Sequence, residues 1–436
     1  METTKIKVAW ICVFSNEFIR KRLKFRFYSR HYISSKIKKE SPFKDIAQWI
    51  TNGINEIENI ENIELHVISF HSLLIKKRNT FTHNNITYHI LRSEDDYIFN
   101  KFKNKISKKQ FCSYDKNSLL ISNILKEINP QIIHLIGAEN PMYSSSVIKM
   151  RKEKPILLSL QTLMSDPNFF TNYPISLDSY KYRSNIEKKV IERADYIGTP
   201  LKKNGKIISQ ISNKQHTFIN ITLPLAEPIC ISNNKKTYDF VYFAKEIEKA
   251  ADWAIEAFHL AFKQNNQLTL LIIGGYSDEF KRLLDTRIEG YGMKSNITFT
   301  GTLPTHNDVI NKIKEAQIAL LPLKIDFISG TIREAISLGL PVITTKTLGT
   351  PTLNEKRESV LISEPADYQD MAQKMLYLIN NKDYANTIRN NALKTINETY
   401  NNTKAIKDWI KAYKTIIANY HKNVPLPEKL LLNFNN

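Results

Sequence analysis

Glycine is scarce in this chain, with 12 among 436 residues, and eight of those fall between Gly274 and Gly349. Glycine serves where the backbone takes positive φ or approaches something closely, so that demand is concentrated in the second half. Cysteine is scarcer still: Cys12, Cys112 and Cys230 lie far apart. Three dispersed cysteines argue against a disulfide framework and a thiolate metal site, and they fit a reducing, cytosolic compartment. No apolar run approaches the roughly 18 residues needed to span a bilayer. The early run KVAWICVF follows lysines. It is short, and the SNEF after it has no small-residue cleavage pattern, so it reads as a buried strand rather than a leader.

Acidic residues are in deficit. Lys and Arg number 62 against 43 Asp and Glu, a formal charge of +19. Such a balance suits anionic partners: nucleic acid, a membrane surface or phosphorylated substrates. A compositional bias toward Lys, Asn and Ile would produce it equally well, so local distribution says more. Residues 18–39 hold nine Lys or Arg, no acid and five aromatics. This stretch reads as an acceptor-side loop, as a patch for an anionic membrane or lipid-linked acceptor, or as a solvated charged segment. No nucleic-acid motif accompanies the charge, so nucleic acid is not an expected partner.

What is abundant is alternation. Short apolar runs such as KVAWICVF, IELHVISF, QIIHLIG and PILLSL alternate with helical stretches at about 44–58, 116–128, 143–151 and 176–194. The pattern restarts after the Pro-, Asn- and Lys-rich stretch 223–237, with YDFVYFA, LTLLIIGG, QIALLPL and PVITT as strands. Alternating strands and helices predict an α/β protein with parallel sheets, and 436 residues fit two domains. The expected division is 1–222, 223–404 and a C-terminal helical segment at 405–436 that returns to the first domain. His134, inside an apolar strand, reads as a core histidine.

The stretch DFISGTIREAISLGLPVITTK, residues 326–346, places Asp326 and Glu334 either side of a small-residue turn at a strand-to-helix junction. Open parallel sheets bind ligands at the carboxyl ends of their strands, and the free N–H groups of a helix start favour phosphate. An acid, seven intervening residues, then a glutamate leading EA…G.PV resembles the large retaining GT-B family of bacterial polysaccharide and lipopolysaccharide glycosyltransferases (glycosyl transferases group 1). Asp326 stands where Glu is commoner. A second motif is similar: AKEIEKAADWAIEAF, with Lys245 at the family's Arg, Lys249 at its Lys and Ala250 at its usual Gly. The glycine pair common after the first strand is absent, and FSNEF stands there instead.

The resemblance implies two Rossmann-like domains facing across a cleft, and a nucleotide sugar as co-substrate with no other cofactor. Glu334 would accept hydrogen bonds from ribose hydroxyls, a charged acceptor forming stronger bonds than a neutral one. Asp326 would hold donor-sugar hydroxyls. The N–H groups of Ile328, Ser329, Gly330 and Thr331 would face the diphosphate, and Lys245 and Lys249 would balance its growing charge. No Asp-x-Asp metal site is apparent, so metal-independent transfer is expected. Gln161, just past PILLSL, and Glu139, in GAENP, would line the acceptor side. Each residue has a plainer reading. Glu334 could be a first-turn glutamate serving the helix dipole. The lysines could belong to a solvated face, Gln161 to a polar loop, and Glu139 could cap the helix at 143. A nucleotide-sugar 2-epimerase and a non-catalytic nucleotide-binding protein of the same fold are the rival functions. The implied setting is the cytoplasm, free or peripheral on the inner face of the plasma membrane.

Overall fold

The computed structural model describes residues 5–25, 45–71, 74–93, 113–166, 176–224, 235–244, 250–324 and 329–432. They form two compact units: the described residues up to 224 together with 402–432, and the described residues 235–401.

The first unit is built on eight strands, β1 (Ile6–Ile11), β2 (Ile63–Phe70), β3 (Arg78–His83), β4 (Ile86–Leu91), β5 (Ile132–Ile136), β6 (Ile156–Ser159), β7 (Tyr196–Gly198) and β8 (Thr217–Ile219). Their order is β3-β4-β2-β1-β5-β6-β7-β8. All neighbours are parallel except β3 and β4. The central strands are continuous apolar runs because helices cover both faces of a parallel sheet. The helices are α1 (Glu17–Lys21), α2 (Gln48–Ile57), α3 (Asp115–Ile128), α4 (Pro141–Ser144), α5 (Leu177–Arg193) and α6 (Lys202–Ile211).

Three of these elements were not foreseen. β3, sequence RNTFTH, has no apolar run, because it is an edge strand paired only with β4. Helices α1 and α6 are short, and α6 starts at Leu201 without a side-chain cap. The helix expected at 143–151 is instead α4 followed by a 3₁₀ turn at Ser145–Val147. The serines explain it. Hydroxyls of Ser144, Ser145 and Ser146 donate to the carbonyls of Ala138, Pro141 and Tyr143, and such side-chain bonds compete with continued helix.

The second unit holds β9 (Tyr238–Phe243), β10 (Leu270–Ile273), β11 (Ile297–Phe299), β12 (Ala316–Leu321), β13 (Val342–Thr345) and β14 (Leu361–Ser363). The order β11-β10-β9-β12-β13-β14, parallel throughout, is the doubly wound dinucleotide-binding arrangement. Around it lie α7 (Ala251–Phe262), α8 (Asp278–Gly290), α9 (His306–Ile313), α10 (Gly330–Ser337), α11 (Tyr368–Asn380) and α12 (Lys382–Thr399). Strand order reverses between β9 and β12 here, and between β1 and β5 in the first unit. Ligands of such sheets bind outside the strand ends at these reversals.

The last helix, α13 (Asn402–Lys422), belongs to the first unit. It buries Ala405, Ile406, Trp409, Ile410, Tyr413 and Ile416, a three-and-four spacing that makes one apolar stripe. Trp409 packs edge-on against Trp10 of β1, with ring centroids 5.2 Å apart. A buried polar chain runs alongside. Trp10 Nε1 donates to Tyr413 Oη at 2.9 Å, Tyr413 lies 2.6 Å from His134 Nδ1, and His134 Nε2 lies 2.7 Å from Ser159 Oγ. Indole nitrogen can only donate; with the Tyr413 proton assigned to Nδ1 and the proton of neutral His134 assigned to Nε2, every group in the chain has a partner. His134, fully buried, is therefore a core histidine.

Candidate functional site

In the second unit the described candidate residues, Ser329, Gly330, Thr331 and Glu334, lie at the start of α10 and one turn into it. The helix ends in a Schellman motif: Leu340 N–H donates to Ala335 O and Gly339 N–H to Ile336 O, with Gly339 at φ +77°. This is the break that the sequence Gly-Leu-Pro announces. At the other end Ser329 is the N-cap residue, but its hydroxyl hydrogen-bonds Thr331 Oγ1 at 2.7 Å rather than capping the backbone. First-turn N–H groups lack acceptors within their own helix, so Gly330 and Thr331 present donors at this end. A β-carbon added at Gly330 would meet nothing within 4 Å, and Gly330 is not among the positive-φ glycines. Neither packing nor backbone conformation requires glycine there. What its absent side chain leaves is room in front of the helix.

Glu334 lies past the first turn, so it is not the dipole-serving first-turn acid of the plainer reading. It is buried, and its Oε1 lies 3.7 Å from His306 Nε2 at the start of α9. His306 is a site neighbour that sequence reasoning missed; its only signal was THND, a helix-start pattern. Asp326 and Ile328 lie outside the described residues, as do Lys245 and Lys249.

The described residues that flank those segments are firmly held. Ala244, which ends the β9 exit, accepts a 3.0 Å hydrogen bond from Tyr276 Oη. Ala250 opens α7 in the left-handed region, with φ +56° and ψ +49°, and is fully buried. The resembled family has glycine at this position. Here the left-handed backbone carries a β-carbon, a conformation that costs about 1–2 kcal/mol. Lys324, at the β12 exit, donates to Asp252 Oδ2 at 3.2 Å in the first turn of α7. Its ammonium also stands 5.4 Å from the Trp253 ring centre. Asp252 Oδ1 is buried without a hydrogen-bond partner. This ion pair ties together the two strand exits at the order reversal, and the sequence reading had passed over it.

In the first unit the structure brings Glu139 and Gln161 together, around Gly137 at the end of β5. Gly137 has φ +91°, and a β-carbon there would lie 2.5 Å from Tyr143 Oη, 2.8 Å from Gln161 Nε2 and 2.8 Å from Glu139 Oε1. Glycine is required by conformation and by crowding at once. Tyr143 and Gln161 both donate to Ile136 O. Glu139 does not cap the following helix; Asn140 does, accepting from Met142 N–H at 3.1 Å. The Glu139 carboxyl is instead drawn inward. Burial pushes its pKa up to about 7, against the pull of its own N–H, of the Arg183 charge and of the Ala138 N–H.

The basic stretch is described only as far as Phe25, and three of its four described charges, Arg20, Lys21 and Arg22, have local partners. Arg20 pairs with Asp45 at 2.6 Å, Lys21 with Glu17 at 2.9 Å, and the Arg22 guanidinium stacks 3.7 Å from the Phe18 ring centre. The acids lie just outside 18–39, so the count within that window overstated the free charge. Residues 26–39 lie outside the described residues. Among the described residues no helix is long and apolar enough to cross a membrane.

Comparison with known proteins defines the class. The chain is similar to sucrose-phosphate synthase from Thermosynechococcus elongatus at 14% identity, covering 95% of this chain and 100% of that one with a TM-score of 0.68. It is similar to Anabaena HepE in complex with UDP and glucose at 12% identity, covering 94% and 100% with a TM-score of 0.63. The pneumococcal O-GlcNAc transferase GtfA in complex with UDP and GlcNAc matches at 16% identity over 68% of this chain and 60% of that one, with a TM-score of 0.54. Likeness at such low identity establishes the fold: GT-B, with two Rossmann-like domains. Residues 238–381, within the second unit, match the family described as Glycosyl transferases group 1. No curated protein matches the chain.

Proposed function

We propose that this chain moves a sugar from a nucleotide-sugar donor to a glycan or lipid-linked acceptor with retained anomeric configuration. The observation that carries the reading is Glu334. It is buried behind an open helix start at the strand-order reversal, inside the segment that matches the group 1 family. In this reading Glu334 accepts hydrogen bonds from the ribose hydroxyls and Asp326 holds the sugar. The N–H groups from Ile328 to Thr331 receive the diphosphate, and Lys245 and Lys249 balance the charge that develops on it as it leaves. The departing phosphate oxygen takes the acceptor proton on the face from which it leaves, so no protein base and no metal is needed. Glu139 and Gln161 face the acceptor. Relatives that carry UDP in their descriptions favour UDP as the first donor base to try.

Surface polysaccharide or lipopolysaccharide assembly at the cytoplasmic face of the membrane is the setting that fits a basic chain with a lipid-linked acceptor. Because Arg20 and Lys21 are engaged with acids, contact with anionic lipid would fall to Lys24 and the basic residues at 26–39.

The test is thermal shift with UDP, GDP, ADP, CMP and dTDP, since a ligand stabilises by mass action, followed by titration of the best binder into Glu334→Gln. A charged hydrogen bond is worth about 1.5–3 kcal/mol, so affinity should fall at least about tenfold. Unchanged affinity in the variant would remove Glu334 from the ribose, and no shift with any nucleotide would remove the donor site.

A further inference from the structure

Glu187 is fully buried in the middle of α5, in a lysine-rich sequence that reads as solvent-facing. Its two carboxyl oxygens accept the N–H groups of Met164 at 3.0 Å and Ser165 at 2.6 Å. Those amides belong to the turn that follows Gln161. One helical turn earlier, on the same face of α5, Arg183 donates from Nε and Nη2 to the backbone carbonyl of Glu139, at 3.1 and 2.8 Å. Residues four apart on a helix share a face, so one face of α5 grips both strand exits: β5 through Arg183 and β6 through Glu187. The Arg183 fork is spent on a carbonyl, and Glu139 Oε2 is buried with no hydrogen-bond partner.

We propose that Arg183 and Glu187 are positioning residues that hold Glu139 and Gln161 in register, and that ionisation of Glu187 is the switch on that hold. The assignment rests on the acceptor-side reading of Glu139 and Gln161. A carboxylate can accept from two N–H groups at once. With a proton on one oxygen, that oxygen becomes a neutral and weaker acceptor, and one of the two bonds is weakened. The turn at 163–166 is then fastened less firmly.

The surroundings place this change near neutrality. Burial pushes Glu187 up to about 7; the Ser165 hydroxyl and the Met164 and Ser165 N–H groups oppose this, and the Glu139 charge adds to it. The other titratable groups facing the pair are Arg183 and Tyr180 on α5 and Tyr143 on α4; behind them Asp166 in the turn faces Tyr180 and Cys12 past β1 faces Tyr143. Among these only Arg183 brings a positive charge.

The experiment is amide exchange at Met164 and Ser165 in the full chain, followed by NMR with selective ¹⁵N-Met and ¹⁵N-Ser labels and corrected for intrinsic rates. In the wild type, protection should fall about tenfold between about pH 8 and pH 6, following ionisation of the interacting Glu187 and Glu139 carboxyls, both pushed up to about 7. Glu187→Gln should have low protection with no step. Glu139→Gln should keep the step but move it to lower pH, because its charge no longer opposes ionisation of Glu187. Protection that is high and independent of pH in the wild type would overturn the switch, as would a step that survives in Glu187→Gln. UDP titration separates this from the broader reading. If no nucleotide binds but the step appears, the glycosyltransferase reading fails and the pair stands. If Glu187→Gln weakens UDP binding as much as Glu334→Gln does, the pair does not belong to the acceptor side.

Discussion

Tyr413 and His134 stand 279 residues apart in sequence and 2.6 Å apart in the structure. The tyrosine hydroxyl is both the acceptor for Trp10 and the donor to His134, so it closes a chain that crosses β1, β5 and β6. Tyr413→Phe keeps the ring but strands one buried donor and one buried acceptor. Unsatisfied groups of this kind cost about 1–3 kcal/mol each, so the first unit should lose roughly 2–6 kcal/mol. Urea unfolding read by tryptophan fluorescence would measure it in a Trp253→Phe background, where Trp10, Trp49 and Trp409 all report on that unit.

The same histidine gives a pH signature. Burial holds His134 neutral and pushes its pKa down to about 3, far below the ordinary value near 6.5 of an unfolded chain. Between those values the unfolded state binds the extra proton. The stability that His134 contributes is therefore full above pH 6.5 and is lost progressively as pH falls toward 3. The stability gap between wild type and His134→Gln should be widest near pH 7.5. Below pH 6.5 it should shrink by about 1.4 kcal/mol per pH unit. A gap that stays constant down to pH 4.5 would mean that the histidine takes up its proton in the fold at the same pH as in the unfolded chain.

Ala250 keeps a left-handed backbone that glycine adopts freely. Ala250→Gly removes about 1–2 kcal/mol of strain and returns about 0.4–1 kcal/mol of chain entropy to the unfolded state. The net expectation is stabilisation of the second unit by about 0.5–1 kcal/mol, visible as a higher denaturant midpoint. Destabilisation would show that the Ala250 methyl packs well enough to outweigh the strain.

Lys324→Met keeps the aliphatic stem and removes the charge facing Asp252. With Oδ1 already lacking a partner, the carboxylate would be left without a cation. The second unit should lose about 1–3 kcal/mol, and turnover of the donor should fall because both strand exits loosen. Lys324→Arg should restore most of each. Adding Asp252→Asn to Lys324→Met should recover stability but not turnover; a purely additive double mutant would mean that the two residues do not interact.

Activity should persist in excess EDTA, because lysines and a helix start are proposed to carry the phosphate charge. Complete loss, restored by Mn²⁺ or Mg²⁺, would replace that account with a metal-bound donor.

The fold was legible because parallel strands buried on both faces must be apolar runs, and runs such as QIIHLIG and LTLLIIGG have few other uses. What escaped notice followed other rules. The β3–β4 hairpin turns on Asn84-Asn85, both at positive φ, a two-residue turn signal that was hidden because RNTFTH faces solvent. Glu334 could be singled out because the spacing of its motif is local to one helix. Glu187 could not: in SNIEKKVIER it looks like one more solvated charge, and only the turn at 163–166, folded against it, makes it a buried acceptor. Lys324 was lost in a lysine-rich background for the same reason, since its partner is 72 residues away.

The first unit's interior is completed by a helix that is made only after the second unit. Trp10 and His134 need Trp409 and Tyr413, yet the whole of 235–401 is synthesised in between. At ribosomal rates of about 5–20 residues per second, the wait between Pro224 and Lys422 is roughly 10–40 s. During that time the continuous second unit can finish folding while the first has an open groove over β1 and β5. The nascent chain thus exposes an indole and an imidazole edge until residues 402–422 have been added. A ribosome stalled before residue 402 would release one domain able to fold and another with a gap in its core.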